Sequence, residues 1–351
     1  MSTLKDIAQH VGVSISTVSR VMNNDYSRHI SQATRAKIVA AAEELGYASQ
    51  KEQRPSQPKL QVVQEAPFRQ IGCIVSVTQN KYNHPYFSPI LDGIEKKLSE
   101  MNSVLAYVTT MEEVQGEGAI HQLIRDKKLN GMIIIEGITP EIYDFIKQAI
   151  PAVVGIDIAD PDVPVIHYNR VEAAKAAVEH LIEMGHRRIG FMGGPGLTGE
   201  LNREKRYRGY RQALEEADLE LDPRLVVNTG WNVSESYTLA CRLMELPVEE
   251  RPTAVFAASD MMAISAIRAA TEYGLSIPED IAFVGLDNIE VSQYTSPPLS
   301  TIHIPKQEMG MMAAKVLIDE IEGKNALPFR LAVPHKLLVR KSSDYRLPDK
   351  R

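Results

Sequence analysis

Residues 3–24, TLKDIAQHVGVSISTVSRVMNN, carry two helical periods separated by a single glycine. Leu4, Ile7, Ala8 and Val11 fall at i, i+3, i+4 and i+7, the apolar stripe of one short helix. Gly12 breaks it, and Ser14 has the short hydroxyl side chain that caps a second helix. In that helix Val18, Val21 and Met22 face inward, while Ser16, Thr17, Ser19 and Arg20 are left outside. Asn23-Asn24-Asp25 ends it. A third helix is expected after Ser31, with Thr34, Ile38, Ala41, Ala42 and Leu45 inside and Gly46 as its stop. Helix, tight turn and second helix with a small-polar outer face containing Arg form the helix-turn-helix pattern. Small side chains let such a helix sink into a major groove, hydroxyls reach phosphates, and Arg bonds guanine or phosphate. Spacing alone leaves a generic three-helix cap as the alternative, because any short amphipathic pair partly matches.

Outside this head the charge changes sign. Residues 1–59 hold eight Lys and Arg against five Asp and Glu, net +3, whereas the rest of the 351-residue chain carries net −9. A small basic head on an acidic body suggests a polyanion partner for the head alone. The length predicts two or three folding units. Cys73 and Cys241 show no paired spacing and read as buried thiols in a reducing compartment. The N-terminus lacks a basic segment followed by an apolar run, so no signal peptide is expected. No stretch approaches the ~20 apolar residues of a membrane span. The expectation is a cytoplasmic protein without a membrane partner.

Residues 48–70, ASQKEQRPSQPKLQVVQEAPFRQ, are rich in Pro and Gln and read as a linker between the head, 1–47, and a body at 71–340. In the body, candidate strands at 71–77, 104–109, 132–135, 152–156, 189–192, 225–228, 254–258 and 281–286 alternate with amphipathic segments. The segments lie near 90–98, 120–127, 170–184, 204–217, 234–244 and 261–273. A last strand pair, 299–304 and 336–340, brackets a helix at 306–321. Such alternation means βαβ units and parallel sheets, and eight strands suit two doubly wound lobes better than one large sheet. Ligands then belong at the carboxyl ends of the strands, in the cleft between lobes.

Gly194-Pro195-Gly196-Leu197-Thr198-Gly199 satisfies GxGxxG after a strand. A dinucleotide site also needs an acid ending the next strand, and that strand ends in Asn228-Thr229-Gly230. An NAD enzyme is therefore disfavoured. GxSxG, GxxxxGK[ST] and HExxH are absent, and His180 and His186, at an unhelpful spacing for a metal, read as surface residues. No enzyme activity, cofactor or metal is expected.

The run at 3–24 resembles the N-terminal helix-turn-helix of the LacI/GalR family of bacterial transcription repressors. The resemblance puts Ile15, Ser16 and Arg20 against operator bases in double-stranded DNA. It makes Ser14, Thr17, Ser19 and Asn23 phosphate contacts, with Thr3 and Leu4 at the start of the same interface. It also implies an all-α head joined to a two-lobed, periplasmic-binding-protein-like domain of doubly wound parallel sheets. The linker departs from the family pattern, because Pro55 and Pro58 would interrupt a hinge helix and Leu60 is the one nearby apolar wedge.

For the body the resemblance implies a small sugar effector held after strand ends by Ser76, Tyr86, Phe87, Glu136, Asp157, Arg203 or Arg206, Trp231, Ser259, Asp260 and Asp287. Asp260 is equally a helix cap. Together with the weak hinge and the PYF run at 85–87, Trp231 makes the chain most similar to family members that govern galactoside utilisation, of the evolved-β-galactosidase or galactan-operon type. Two heads would engage a near-palindromic operator, so a homodimer is expected. Residues 341–351 carry no leucine heptad for a larger assembly. A transport-type sugar-binding protein would need a signal peptide and no head.

Overall fold

The computed structural model describes residues 2–23, 25, 30–47, 68–76, 81–114, 128–196 and 199–344. Residues 48–67 of the linker expected at 48–70, with Leu60, the amphipathic segment at 120–127, and the tail beyond 344 lie outside the described residues; the linker's expected end is corrected, because Arg69 and Gln70 already belong to the first strand of the body. The chain divides into two compact units, Met1–Pro67 and Phe68–Arg351.

The first unit is built from α1 (Leu4–Val11), α2 (Ile15–Met22) and α3 (Gln32–Glu44). Each start is capped: Thr3 and Asp6 exchange bonds in a capping box, and Ser14 and Ser31 accept from Thr17 N and Thr34 N. Gly12, at φ +73°, adopts the left-handed conformation that turns α1 into α2. Ile7, Val18 and Ile38, all fully buried, meet with Ala8, Val21, Ala41 and Ala42 in a small core.

The second unit contains two six-stranded sheets. The first lobe has β1 (Arg69–Val75), β2 (Ser103–Thr110), β3 (Gly131–Ile135), β4 (Val153–Ile156), β5 (Val165–Tyr168) and β11 (Arg330–Val333), all parallel, in the order β11-β5-β4-β3-β1-β2. The second has β6 (Ile189–Gly193), β7 (Val226–Asn228), β8 (Ala254–Ala257), β9 (Ala282–Asp287), β10 (Ser300–His303) and β12 (Lys336–Leu338), in the order β12-β10-β9-β8-β6-β7. Only β12 runs antiparallel to its neighbour among the described strands. The helices are α4 (Phe87–Glu100), α5 (Pro140–Ala149), α6 (Arg170–Glu183), α7 (Lys205–Glu216), α8 (Val233–Met244), α9 (Asp260–Glu272) and α10 (Lys306–Ile321). The central strands are buried on both faces, as parallel sheets between helices require.

The chain passes between lobes three times. It leaves β5 through Asn169 into α6, which packs on α7 and β9; it leaves β10 through Ile304 and Pro305 into α10, which packs on α4; and it leaves β11 through Pro334 and His335 into β12. All three passages lie at carboxyl ends of strands, so those ends face one cleft.

The expected strands and the alternation are present, and the structure adds β5, α5 and β11, which the sequence pattern does not announce. Four residues of β5 sit between Pro164 and Asn169, too few to show a period. The edge strand β11 alternates in exposure and lacks an apolar run. In α5 a single residue, Ile146, is buried, which leaves little stripe to read. His180 is also corrected: it is buried, with its Nε2 2.8 Å from Ser343 Oγ. Cys73 is buried and Cys241 half-buried, both as free thiols.

Candidate functional site

In the head, α2 shows one polar face. Ser14 Oγ lies 2.9 Å from Ser16 Oγ and 2.8 Å from Thr17 Oγ1, so three hydroxyls cluster at the helix start, where backbone N–H groups also point outward. Ile15 is 49% exposed, which removes the alternative that it is a core residue. Arg20 reaches Asp25 at 3.6 Å with both side chains partly exposed, a surface pair that stabilises little. Asn23 follows the last turn and bonds Ser19 Oγ at 3.4 Å. Thr3 and Leu4 open α1, with Thr3 exposed and Leu4 half-buried.

In the body, Glu136, Asp157 and Asp287 stand where β3, β4 and β9 end, at φ +63°, +57° and +116°. A left-handed residue turns the strand sharply and is strained for a carboxylate side chain, a feature concentrated at binding sites. Arg170, the first residue of α6, places Nη2 2.5 Å from Glu136 Oε1 and 3.3 Å from Asp157 Oδ2. Burial pushes the Glu136 carboxyl upward, but Arg170 and then Arg206 outweigh it and hold it below the usual range. For Asp157 burial wins over Arg170, and its carboxyl is raised.

Several buried polar atoms of this cluster have no hydrogen-bond partner among the described residues: Asp157 Oδ1, the hydroxyls of Tyr86 and Tyr168, and Arg170 Nε, while Asp157 Oδ2 has the ion pair with Arg170 alone. An orphaned buried polar group costs ~1–3 kcal/mol, so several around one point mark a place made for something that donates and accepts. Phe87 packs edge-on against Tyr86 with centroids 5.0 Å apart and belongs to the core. Ser76 is half-buried and donates its backbone N–H to Ile135 O.

The second lobe supplies the facing wall. Arg206 lies over the Trp231 ring, 4.2 Å from Cζ to centroid, and is held by Glu204 Oε1 at 2.8 Å. Trp231 donates Nε1–H to Pro195 O at 2.8 Å. Gly194 permits that contact, since a Cβ there would lie 2.7 Å from Trp231 Cδ1. Thus Gly194 of the GxGxxG run seats an indole; Leu197 and Thr198 lie outside the described residues. Burial, followed by the neighbouring Asp260, drives the Asp287 carboxyl well above its usual range.

Three expected contacts are spent otherwise. Asp260 is fully buried, accepting from Thr301 Oγ1 at 2.5 Å and Ile289 N at 2.8 Å, and burial pushes its carboxyl up to about 7. Ser259 caps α9 by accepting from Met262 N. Arg203 belongs to a short turn before α7, where it is 67% exposed and paired with Glu200, so Arg206 is the arginine brought into the cluster.

Residues 3–50 match the family described as bacterial regulatory proteins, lacI family, and residues 178–343 match the periplasmic binding protein-like domain. The HTH-type transcriptional repressor PurR of Haemophilus influenzae (strain PittEE) is 30% identical over 351 residues, covering 97% of this chain and 98% of the relative. The chain belongs to the LacI family of bacterial transcription regulators. Among solved structures, the transcriptional regulator CelR–cellobiose complex is 28% identical with a TM-score of 0.68, covering 97% of this chain and 100% of CelR. The lac repressor dimer bound to operator and the anti-inducer ONPF is 26% identical with a TM-score of 0.66, covering 97% and 99%.

Membership makes this chain a DNA-binding transcriptional repressor with a small-molecule-binding body, and not an enzyme. The family does not fix the effector, since the two solved relatives hold different ligands. Among the described residues no helix is long and apolar enough to cross a membrane.

Sequence reasoning missed Arg170, Tyr168 and the buried Lys306. A signal was available for two of them. Arg170 and Lys306 each open a helix, the end at which the macrodipole disfavours a cation.

Proposed function

We propose that the chain is a homodimeric cytoplasmic repressor of a sugar-utilisation operon, released from its operator by a galactoside-type sugar. In this reading residues 1–47 dock on double-stranded DNA and 71–340 sense the effector and dimerise. Residues 48–70 join them, and 341–351 form a tail. Ser16, Ile15 and Arg20 read bases, and Thr3, Leu4, Ser14, Thr17, Ser19 and Asn23 secure the backbone of the operator.

The observation that carries the effector class is the set of orphaned groups on Asp157, Tyr86, Tyr168 and Arg170, opposite an Arg206-backed indole. Sugars match it, because each hydroxyl donates once and accepts, and their C–H faces stack on aromatic rings. Closing the lobes on such a ligand would change the spacing of two dimer-related heads, and the ligand acts only by its different affinity for the two states.

Isothermal titration against galactose, lactose, galactobiose, cellobiose and a set of nucleosides tests this. The reading predicts heat with a galactoside. Heat with cellobiose alone supports the second reading, a β-glucoside effector, which the likeness to the CelR–cellobiose complex favours. Heat with a nucleoside and with no sugar overturns both.

A further inference from the structure

Lys306 is the first residue of α10, directly after the second passage between lobes, and it is 7% exposed. A cation there faces the positive end of its own helix dipole and has lost its water. Its helix packs on the first lobe, yet its ammonium turns back to the second: Nζ donates to Asp287 O, to Asn288 O at 3.4 Å and to Ile304 O at 3.4 Å. Asp287 and Asn288 are consecutive residues in the left-handed region, at φ +116° and +49°. The turn that presents the Asp287 carboxyl to the cleft is thus pinned from the other lobe.

Asn288 extends the connection. Its Nδ2 lies 3.1 Å from Nδ1 of His303, the last residue of β10 before that passage. Its Oδ1 accepts from Arg340 Nη2 at 2.9 Å, and Arg340 stands just beyond β12, the strand entered by the third passage. Arg340 in turn donates to Leu299 O at 2.7 Å. One strained turn therefore joins the cleft to strands beside two of the three passages. A Met of similar length would fill the space of Lys306 without the burden of a buried charge, so packing does not explain the lysine.

We propose that Lys306 is the positioning residue of a latch: it ties the Asp287–Asn288 turn to the first lobe and so converts occupancy of the cleft into a change of lobe angle. This rests on the cleft being the effector site. Burial holds the Lys306 ammonium below its usual range, while Asp287 and Asp260 favour its charge, consistent with a cation kept for its donors.

Lys306→Met, Lys306→Arg and wild type, all as full chains, are compared in two measurements. The first is affinity for an operator selected from randomised duplexes, with and without saturating lactose or galactobiose. The latch predicts that in Lys306→Met the effect of sugar on operator affinity shrinks about tenfold. Lys306→Arg, which keeps the donors, retains it. The second needs no effector: spin labels attached through Glu141→Cys and Glu279→Cys, both exposed positions, in a Cys241→Ser background, report the lobe-to-lobe distance. Lys306→Met should broaden that distribution. An unchanged distribution, or an unchanged sugar effect accompanied by lower melting temperature, overturns the latch and leaves Lys306 a strut. Should Lys306→Met not fold, Asn288→Gly removes the amide at a φ that glycine adopts without strain, and an unaltered distribution there overturns it equally. Absence of any sugar response in wild type refutes the galactoside reading alone, because the distance measurement still decides the latch.

Discussion

Replacing Arg170 with Met tests whether the cleft is held by a buried ion cluster. Arg170 is 12% exposed and contacts Glu136, 25% exposed, and Asp157, 0% exposed. Removing the guanidinium leaves two carboxylates facing each other out of water. Breaking a buried pair in this way destabilises by ~3–5 kcal/mol. With a urea slope of about 3 kcal/mol per M for a unit of this size, the unfolding midpoint should fall by roughly 1–1.7 M at pH 7.5.

The pH dependence has a definite sign. In wild type the Glu136 carboxyl is held below its usual range, so its contribution is present above that range and is lost as pH falls through the lowered folded value. Without Arg170 the strongest influence opposing burial is gone from both carboxyls, each is raised relative to wild type, and the variant gains stability relative to wild type as pH drops. The gap between the two should therefore narrow to less than about half by pH 5. Adding Glu136→Gln and Asp157→Asn should recover most of it at pH 7.5. A midpoint drop below about 0.3 M, or one equal at both pH values, would refute the ion-cluster argument.

Three further outcomes follow from the same geometry. Arg20→Ala should weaken operator binding roughly 10–100-fold, the ~1–3 kcal/mol of a base contact, without moving the melting temperature; anisotropy titration and calorimetry check it. The buried carboxyl of Asp260 titrates at about 7 in the folded chain, above its unfolded value, so its contribution to stability should fall as pH rises from about 4 to 7. Asp260→Asn, which can still bond Ile289 N and Thr301, should flatten that slope in denaturation series, and an unaltered slope counts against it. Asp157→Asn should raise the dissociation constant for the effector about tenfold or more by calorimetry, because hydrogen bonds to a charged acceptor contribute ~1.5–3 kcal/mol.

Much of this was readable in the chain. The helix-turn-helix is local: caps at Ser14 and Ser31, the left-handed Gly12 and one apolar stripe per helix specify it within a few turns. The placement of Glu136, Asp157 and Asp287 at strand ends was legible because an acid just after an apolar run marks such an end. For Arg170 and Lys306 the one local signal is a cation opening a helix, which does not name their partners, because those come from another lobe. Asp260 was ambiguous for the same reason: a helix-start acid reads alike whether it meets a ligand or, as here, Thr301 and Ile289. Strands β5 and β11, four residues each, depend on one another, and Val165 pairs with Arg330 from the far end of the chain.

The central claim is that one molecule couples cleft to operator. Trp231 is the only tryptophan and lies in the cleft, so its fluorescence reports occupancy there. Titrating galactobiose into the repressor bound to labelled operator DNA, with Trp231 emission and DNA anisotropy followed together, tests that claim most directly. The account predicts that both signals change over the same sugar concentrations and that operator is released, as reciprocal linkage requires. Saturation of the Trp231 signal with operator affinity unchanged would contradict it.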